Sequence, residues 1–179
     1  MTITIKEKGS DAFYREVLGI YANYRYLLKN HRRKIKDPIK EYTLLLIIGA
    51  VAFALLLVCT FIFGVGIFEG IALTGLFLAS VLSVLLLIRL TKSKKAMLED
   101  DRTATLTLDD KGVSLNKEDT QELRIGWDGI LFVRVLKEGV FFIASEQTGA
   151  VISVTRRYEN EILSWLKHER PDLEIITQA

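Results

Sequence analysis

The stretch "TLLLIIGAVAFALLLVCTFIF", Thr43 to Phe63, carries no charge and no proline. As a helix, these residues would extend roughly 31 Å, close to the hydrocarbon thickness of a bilayer. A core helix of a soluble protein is rarely apolar on every face over such a length. A cleaved signal sequence would stand at the very start, with a shorter apolar centre. Here 42 mostly polar residues come first, and no small-residue cleavage site follows. A membrane span over 43–63 is the expectation.

A second apolar run, "IALTGLFLASVLSVLLLI", covers Ile71 to Ile88, and "GVGIFEG" separates the two. One helix through both would be about 69 Å long, more than twice the bilayer core. Glycines weaken a helix there, and Glu69 is costly at the membrane centre. The chain is therefore expected to turn, giving spans at 43–63 and 71–89 joined by a short external loop at 64–70. The competing arrangement is one tilted span with an interfacial helix. His31, Arg32, Arg33, Lys34, Lys36 and Lys40 precede the first run. Arg89, Lys92, Lys94 and Lys95 follow the second, while the connecting loop has no Lys or Arg. Basic residues stay on the cytoplasmic side, so both termini are expected in the cytoplasm of an inner-membrane, multi-pass protein. Ala50 and Ala54 on one run, and Gly75, Ala79 and Ser83 on the other, recur every four residues. They are candidates for close helix packing, within a chain or between chains. Neither run contains an ionisable side chain other than Cys59, which argues for an anchor over a proton or ion path.

Charge divides the chain. Residues 1–42 carry ten Lys/Arg and five Asp/Glu, and 89–95 add four positives. Residues 96–179 carry ten positives and sixteen acids. A basic collar suited to anionic headgroups thus adjoins an acidic domain, and an acidic domain makes a poor nucleic-acid binder. Cys59 is the only cysteine, so no intrachain disulfide and no Cys/His metal set is expected. No cofactor is expected either. His31 and His168 sit in charged stretches and read as solvated.

The start, "MTITIKEK", alternates as a short strand does. From Ser10 or Asp11, as caps, Phe13, Val17, Ile20, Tyr21, Tyr24, Leu27 and Leu28 recur at helical spacing. This stripe suits either the membrane interface or the face of the cytoplasmic domain. Asp37-Pro38 marks a break or a fresh helix start. Residues 1–42 are expected to hold this strand and amphipathic helix, 90–101 a linker, and 102–179 the domain. That domain reads as a meander of about five strands closed by a helix. Asp109-Asp110-Lys111-Gly112 and Lys137-Glu138-Gly139 form its turns. Leu123, Ile125 and Trp127 share one strand face. The closing helix opens at Thr155, places Tyr158, Ile162, Trp165 and Leu166 on one face, and ends at Glu169-Arg170-Pro171. Ile3 and Ile5 could complete the sheet.

Three stretches, "LTLDDKGVSL", "LRIGWDGILFVRVLKEGVFFI" and "AVISVTRRYENEI", together with the order of two spans, strand meander and C-terminal helix, resemble the YcxB-like family of small bacterial membrane proteins. The resemblance covers about Ala104 to Leu166. It departs at Gly126 and Thr155, where the family often has proline. It implies a pleckstrin-homology-like (PH-like) antiparallel sheet closed by a C-terminal helix, and no established activity. The expected fold class is thus a membrane α-helical hairpin plus a small cytoplasmic α+β domain.

Trp127 reads as core. Arg156 and Arg157, before a helix start, are candidate contacts for an anion or a partner. Against that, they could simply pair with Glu159, Glu161 or Asp128. The serines are scattered with no activating histidine, and there is no phosphate loop, so catalysis is not expected. The expected role is a membrane-anchored module that binds another protein through a sheet edge or its acidic surface. An immunity protein against a membrane-directed toxin, and an accessory subunit of a transport or lipid-handling complex, are the alternatives.

Overall fold

The computed structural model describes residues 1–6, 9–63, 66–99, 103–118 and 120–178. Chain contacts divide them into two units, Met1–Ile35 with Ala96–Ala179, and Lys36–Lys95. The helical segment is therefore inserted into a domain that both ends of the chain build together.

In the inserted unit, α2 (Pro38–Phe63) is followed by α3 (Ile67–Glu99), whose last residues belong to the other unit. Asp37 Oδ1 caps α2 by accepting from the Ile39 N–H at 2.9 Å, and Pro38 opens the helix. Both helices are long and apolar enough to cross a membrane. Gly64 and Val65, and the side chain of Glu69, where the turn is expected, lie outside the described residues. Gly49 lies opposite Ser80, whose Oγ would stand 3.4 Å from a Cβ added at the glycine, and Leu46 lies near Leu87, so the helices run antiparallel.

Within the chain the two helices meet along a different row of positions. Leu46, Gly49, Phe53, Leu56 and Thr60 are half-covered, as are Leu73, Leu76, Ser80, Ser83 and Leu87. These positions advance by alternating threes and fours, the seam of left-handed helix pairs. Ala50, Ala54, Gly75 and Ala79 face outward, and Gly75 has nothing within 4 Å of an added Cβ. A strict four-residue row drifts off such a seam, and only Ser83 belongs to both rows.

The other unit holds two four-stranded sheets. The first has the order β1 (Thr2–Ile5), β2 (Ala104–Asp109), β3 (Gly112–Lys117), β4 (Leu123–Gly126), all antiparallel. Ile3 pairs with Leu106 and Ile5 with Ala104, so the N-terminal strand does complete a sheet. Residues 100–102, at the expected start of the domain, lie outside the described residues. The β2–β3 turn is set by Asp109, whose Oδ1 accepts from the N–H groups of Lys111 (2.9 Å) and Gly112 (3.0 Å). Gly112 is required there, because an added Cβ would sit 2.1 Å from the Ile125 carbonyl oxygen at φ +153°.

The second sheet contains β5 (Ile130–Val135), β6 (Gly139–Ala144), β7 (Val151–Thr155) and β8 (Ile175–Thr177), in the order β7-β6-β5-β8. Strand β8, parallel to β5, is absent from the sequence expectation, which ended at Pro171. α4 (Glu159–Glu169) follows a single 3-10 turn at Arg156–Tyr158 and buries Ile162 and Leu166.

Every residue of β6 and all but one of β5 are buried. The reason is that the second sheet is covered on both faces. On one face, Val133, Val135, Val140, Phe142, Ile152 and Val154 meet the first sheet and α4. On the other, Phe132, Leu136, Phe141, Ile143 and Val151 meet α1 (Asp11–Lys29) through Phe13, Val17, Ile20 and Leu27. The apolar stripe of α1 therefore packs on the sheet. Ser10 Oγ caps the helix by accepting from the Phe13 N–H at 3.0 Å, and the Tyr24 hydroxyl donates to the Ala144 carbonyl at 2.8 Å. Trp127 is core as expected, but in a 3-10 turn after β4; there it stacks on Trp165 and its Nε1 donates to the Asp109 carbonyl at 2.8 Å.

α1 also brings Glu16 to the β5–β6 turn, where both carboxylate oxygens accept from the Glu138 N–H, at 3.1 and 3.2 Å. Burial, more than any other effect, pushes its pKa up to about 6, from an ordinary 4.5. The folded domain then binds the proton more readily than the unfolded chain, so the carboxylate costs stability above about pH 6, and the cost is relieved as pH falls through that value. Glu16→Gln is expected to raise the thermal midpoint at neutral pH by about 2–3 °C and to flatten its change between neutral pH and about 5.5. Thermal unfolding at the two pH values checks this.

Candidate functional site: the open edge of the second sheet

Among the described residues, β1 ends the first sheet and β7 ends the second, and the two are not bonded to each other. The direction of the β7 backbone follows from two contacts. The Ala150 carbonyl accepts from the Ala144 N–H at 3.2 Å, and the Arg156 N–H donates to the Glu138 carbonyl at 2.8 Å. Alternation then turns Ile152 and Val154 toward β6, and Val151, Ser153 and Thr155 away from it. The Tyr21 hydroxyl, donating to the Val151 carbonyl at 3.4 Å, meets that outward side.

Along this edge lies an apolar groove of about 270 Å³. It is lined by Phe13, Val17 and Tyr21 of α1, by Ile5, Ala104 and Leu115 of the first sheet, and by Ser153 and Thr155 of β7. Lys6 and Lys117 stand among the lining residues. The hydroxyl oxygen of Thr155 is buried with no hydrogen-bond partner. An unpaired strand edge beside an apolar slot can accept an extended segment. The backbone of that segment would continue the ladder, and alternate side chains would enter the slot.

The arginines singled out from sequence lie at the end of this edge and are engaged. Arg156 Nε is 2.6 Å from Glu159 Oε2, and its Nη1 donates to the Lys137 carbonyl at 3.3 Å. Arg157 also has an interaction partner. Glu159 and Glu161 occupy the first turn of α4, so its N-terminal dipole is already answered by the chain's own acids. The ion-pair reading of these residues fits the geometry better than the anion reading.

His31 departs from the solvated expectation. It stacks on Phe132 at 4.2 Å between ring centroids, and its Nδ1 lies 3.0 Å from Glu174 Oε2. His168 is exposed and lies beside Glu169. Among the described residues, no three His, Cys, Asp or Glu side chains are grouped to hold a metal ion. Sequence reasoning passed over Arg134, which stands fully buried in the middle of β5. The signal was a charge inside "ILFVRV", a strand otherwise wholly apolar.

No family model, curated protein or solved structure matches the chain.

Proposed function

We propose that the protein is a membrane-anchored, non-enzymatic interaction module whose sheet domain binds an extended segment of a partner protein along β7. The outward backbone of Ser153 and Thr155 beside the apolar groove carries this reading. The helical hairpin is its anchor in the inner membrane. The basic flanks hold both ends of the chain in the cytoplasm and meet anionic headgroups.

The domain is of the YcxB-like, PH-like type. A four-strand meander, a three-strand meander and a closing helix, in that order, support this. Two features are additions to such a plan: α1, which covers the outer face of the second sheet, and β8, which pairs in parallel with β5. The outward-facing apolar surface of the hairpin, without charge, suits an anchor better than the lining of a transport path. An immunity role against a membrane-directed toxin would be one instance of such partner binding.

The test is co-purification from membranes after mild crosslinking, comparing the full chain with Ser153→Pro. Loss of a partner in the variant, with the chain still folded and in the membrane, is the expected result. Equal recovery of the same partner would refute binding through β7.

A further inference from the structure

A second site follows from a charge that the fold leaves uncompensated. Arg134 on β5 is 1% exposed. Its Nη1 donates to the His31 carbonyl at 2.9 Å, and its Nη2 to the Arg33 carbonyl and to Gln178 Oε1, both at 2.5 Å. Its Nε is buried with no partner. Among the described residues, no carboxylate lies within ion-pair distance of it. Among the described residues, dipoles alone therefore face this buried cation. Burying an ion without a counter-charge is among the costliest arrangements in a protein interior, and buried charges are ordinarily paired.

Arg134 borders a cleft of about 360 Å³ together with Arg32 and the β8 residues Ile175 to Thr177. Arg32 is a second, solvated cation: its side chain is 83% exposed, and its guanidinium is 3.9 Å from Glu174. The Val133 N–H donates to the Glu174 carbonyl and the Gln178 N–H donates to the Val135 carbonyl, so the Ile175 and Thr177 N–H groups face away from β5, at the outer edge. Pro38, the start of the first apolar helix, follows Arg32 closely along the chain.

We infer that this cleft binds a phosphate-bearing anion, with Arg134 as the fixed cation and Arg32 swinging from Glu174 to close over it. Two arginines offer the forked donors that phosphate oxygens take in pairs. Free phosphate and the phosphodiester headgroup of an anionic lipid share this chemistry. The site is independent of the groove along β7, which lies at the opposite edge of the second sheet.

The test is thermal unfolding of the full chain in zwitterionic micelles. Inorganic phosphate is added to one set, against chloride at matched ionic strength. Phosphatidylglycerol is added to another, against phosphatidylcholine. The midpoint is expected to rise by about 5 °C with phosphate or with phosphatidylglycerol, as for any ligand that binds only the folded state. A rise with phosphate identifies the free anion, and a rise with phosphatidylglycerol alone identifies the headgroup. Arg134→Gln is expected to abolish the rise, but it also removes three hydrogen bonds and so lowers the starting midpoint. Arg32→Gln leaves the fold intact, because the side chain is exposed, and is expected to cut the rise at least by half. Lys40→Gln, in the collar outside the cleft, is expected to leave it unchanged. An unmoved midpoint with both additions would overturn the inference. So would a rise that survives Arg32→Gln, or one that Lys40→Gln reduces as much.

Discussion

A fragment beginning at Ala96 is expected not to fold, although it contains seven of the eight described strands and α4. It lacks β1, which pairs with β2 from Ala104 to Thr107, and it lacks α1. Without α1, the side chains of Phe132, Leu136, Phe141, Ile143 and Val151 would lie open on one face of the second sheet. Full burial of each such side chain contributes about 1.5–3 kcal/mol. Five of them together exceed the lower end of the roughly 5–15 kcal/mol by which an ordinary domain is stable. Ile35 and Met97, which flank the inserted helices, both pack on the same cluster as α1. Joining 1–35 to 96–179 by a short Gly/Ser linker is therefore expected to restore a cooperative, water-soluble domain. Circular dichroism and thermal unfolding of the two proteins check this. A cooperative transition in the Ala96 fragment would show that α1 is dispensable, and would place its apolar stripe elsewhere.

Ser153→Pro and Val154→Pro, adjacent on β7, are expected to have opposite consequences. Proline removes a backbone N–H and places its ring where that hydrogen stood. The Ser153 N–H points out of the sheet, so its loss leaves the β6–β7 ladder whole, as proline on a free edge does. It does remove a donor from any added strand, and the ring obstructs the strand's approach. One lost hydrogen bond is worth about 1 kcal/mol, and the obstruction adds to it, so partner affinity should fall at least about tenfold. The Val154 N–H faces Val140 within the ladder, beside the fully buried Phe142. Val154→Pro breaks that bond in the core and is expected to unfold the domain, with loss of its thermal transition.

The hairpin could be read from the sequence because bilayer length, glycines and flanking basic residues all act locally. The same is true of the Asp109–Gly112 turn and of the Ile162–Leu166 face of α4. What the sequence left open depends on distant partners. The stripe on α1 is the same whether it meets lipid or Phe141, and only the doubly buried strands β5 and β6 hint that something must cover their outer face. β8 is a short strand that pairs in parallel with one far back in the chain, beyond the reach of local pattern. Arg156 and Arg157 drew attention through position, whereas Arg134 held the less ordinary environment. Its burial follows from the Phe13–Leu27 helix, His31 and Gln178 converging on β5.

The central claim is that the outward edge of β7 meets another protein. A photoreactive side chain at position 153, in the full chain in its native membrane, tests it most directly. Position 167, exposed on α4, serves as the control. Illumination is expected to give a discrete adduct from 153, absent from 167. No adduct from 153, or equal adducts from both positions, would contradict recognition through this edge.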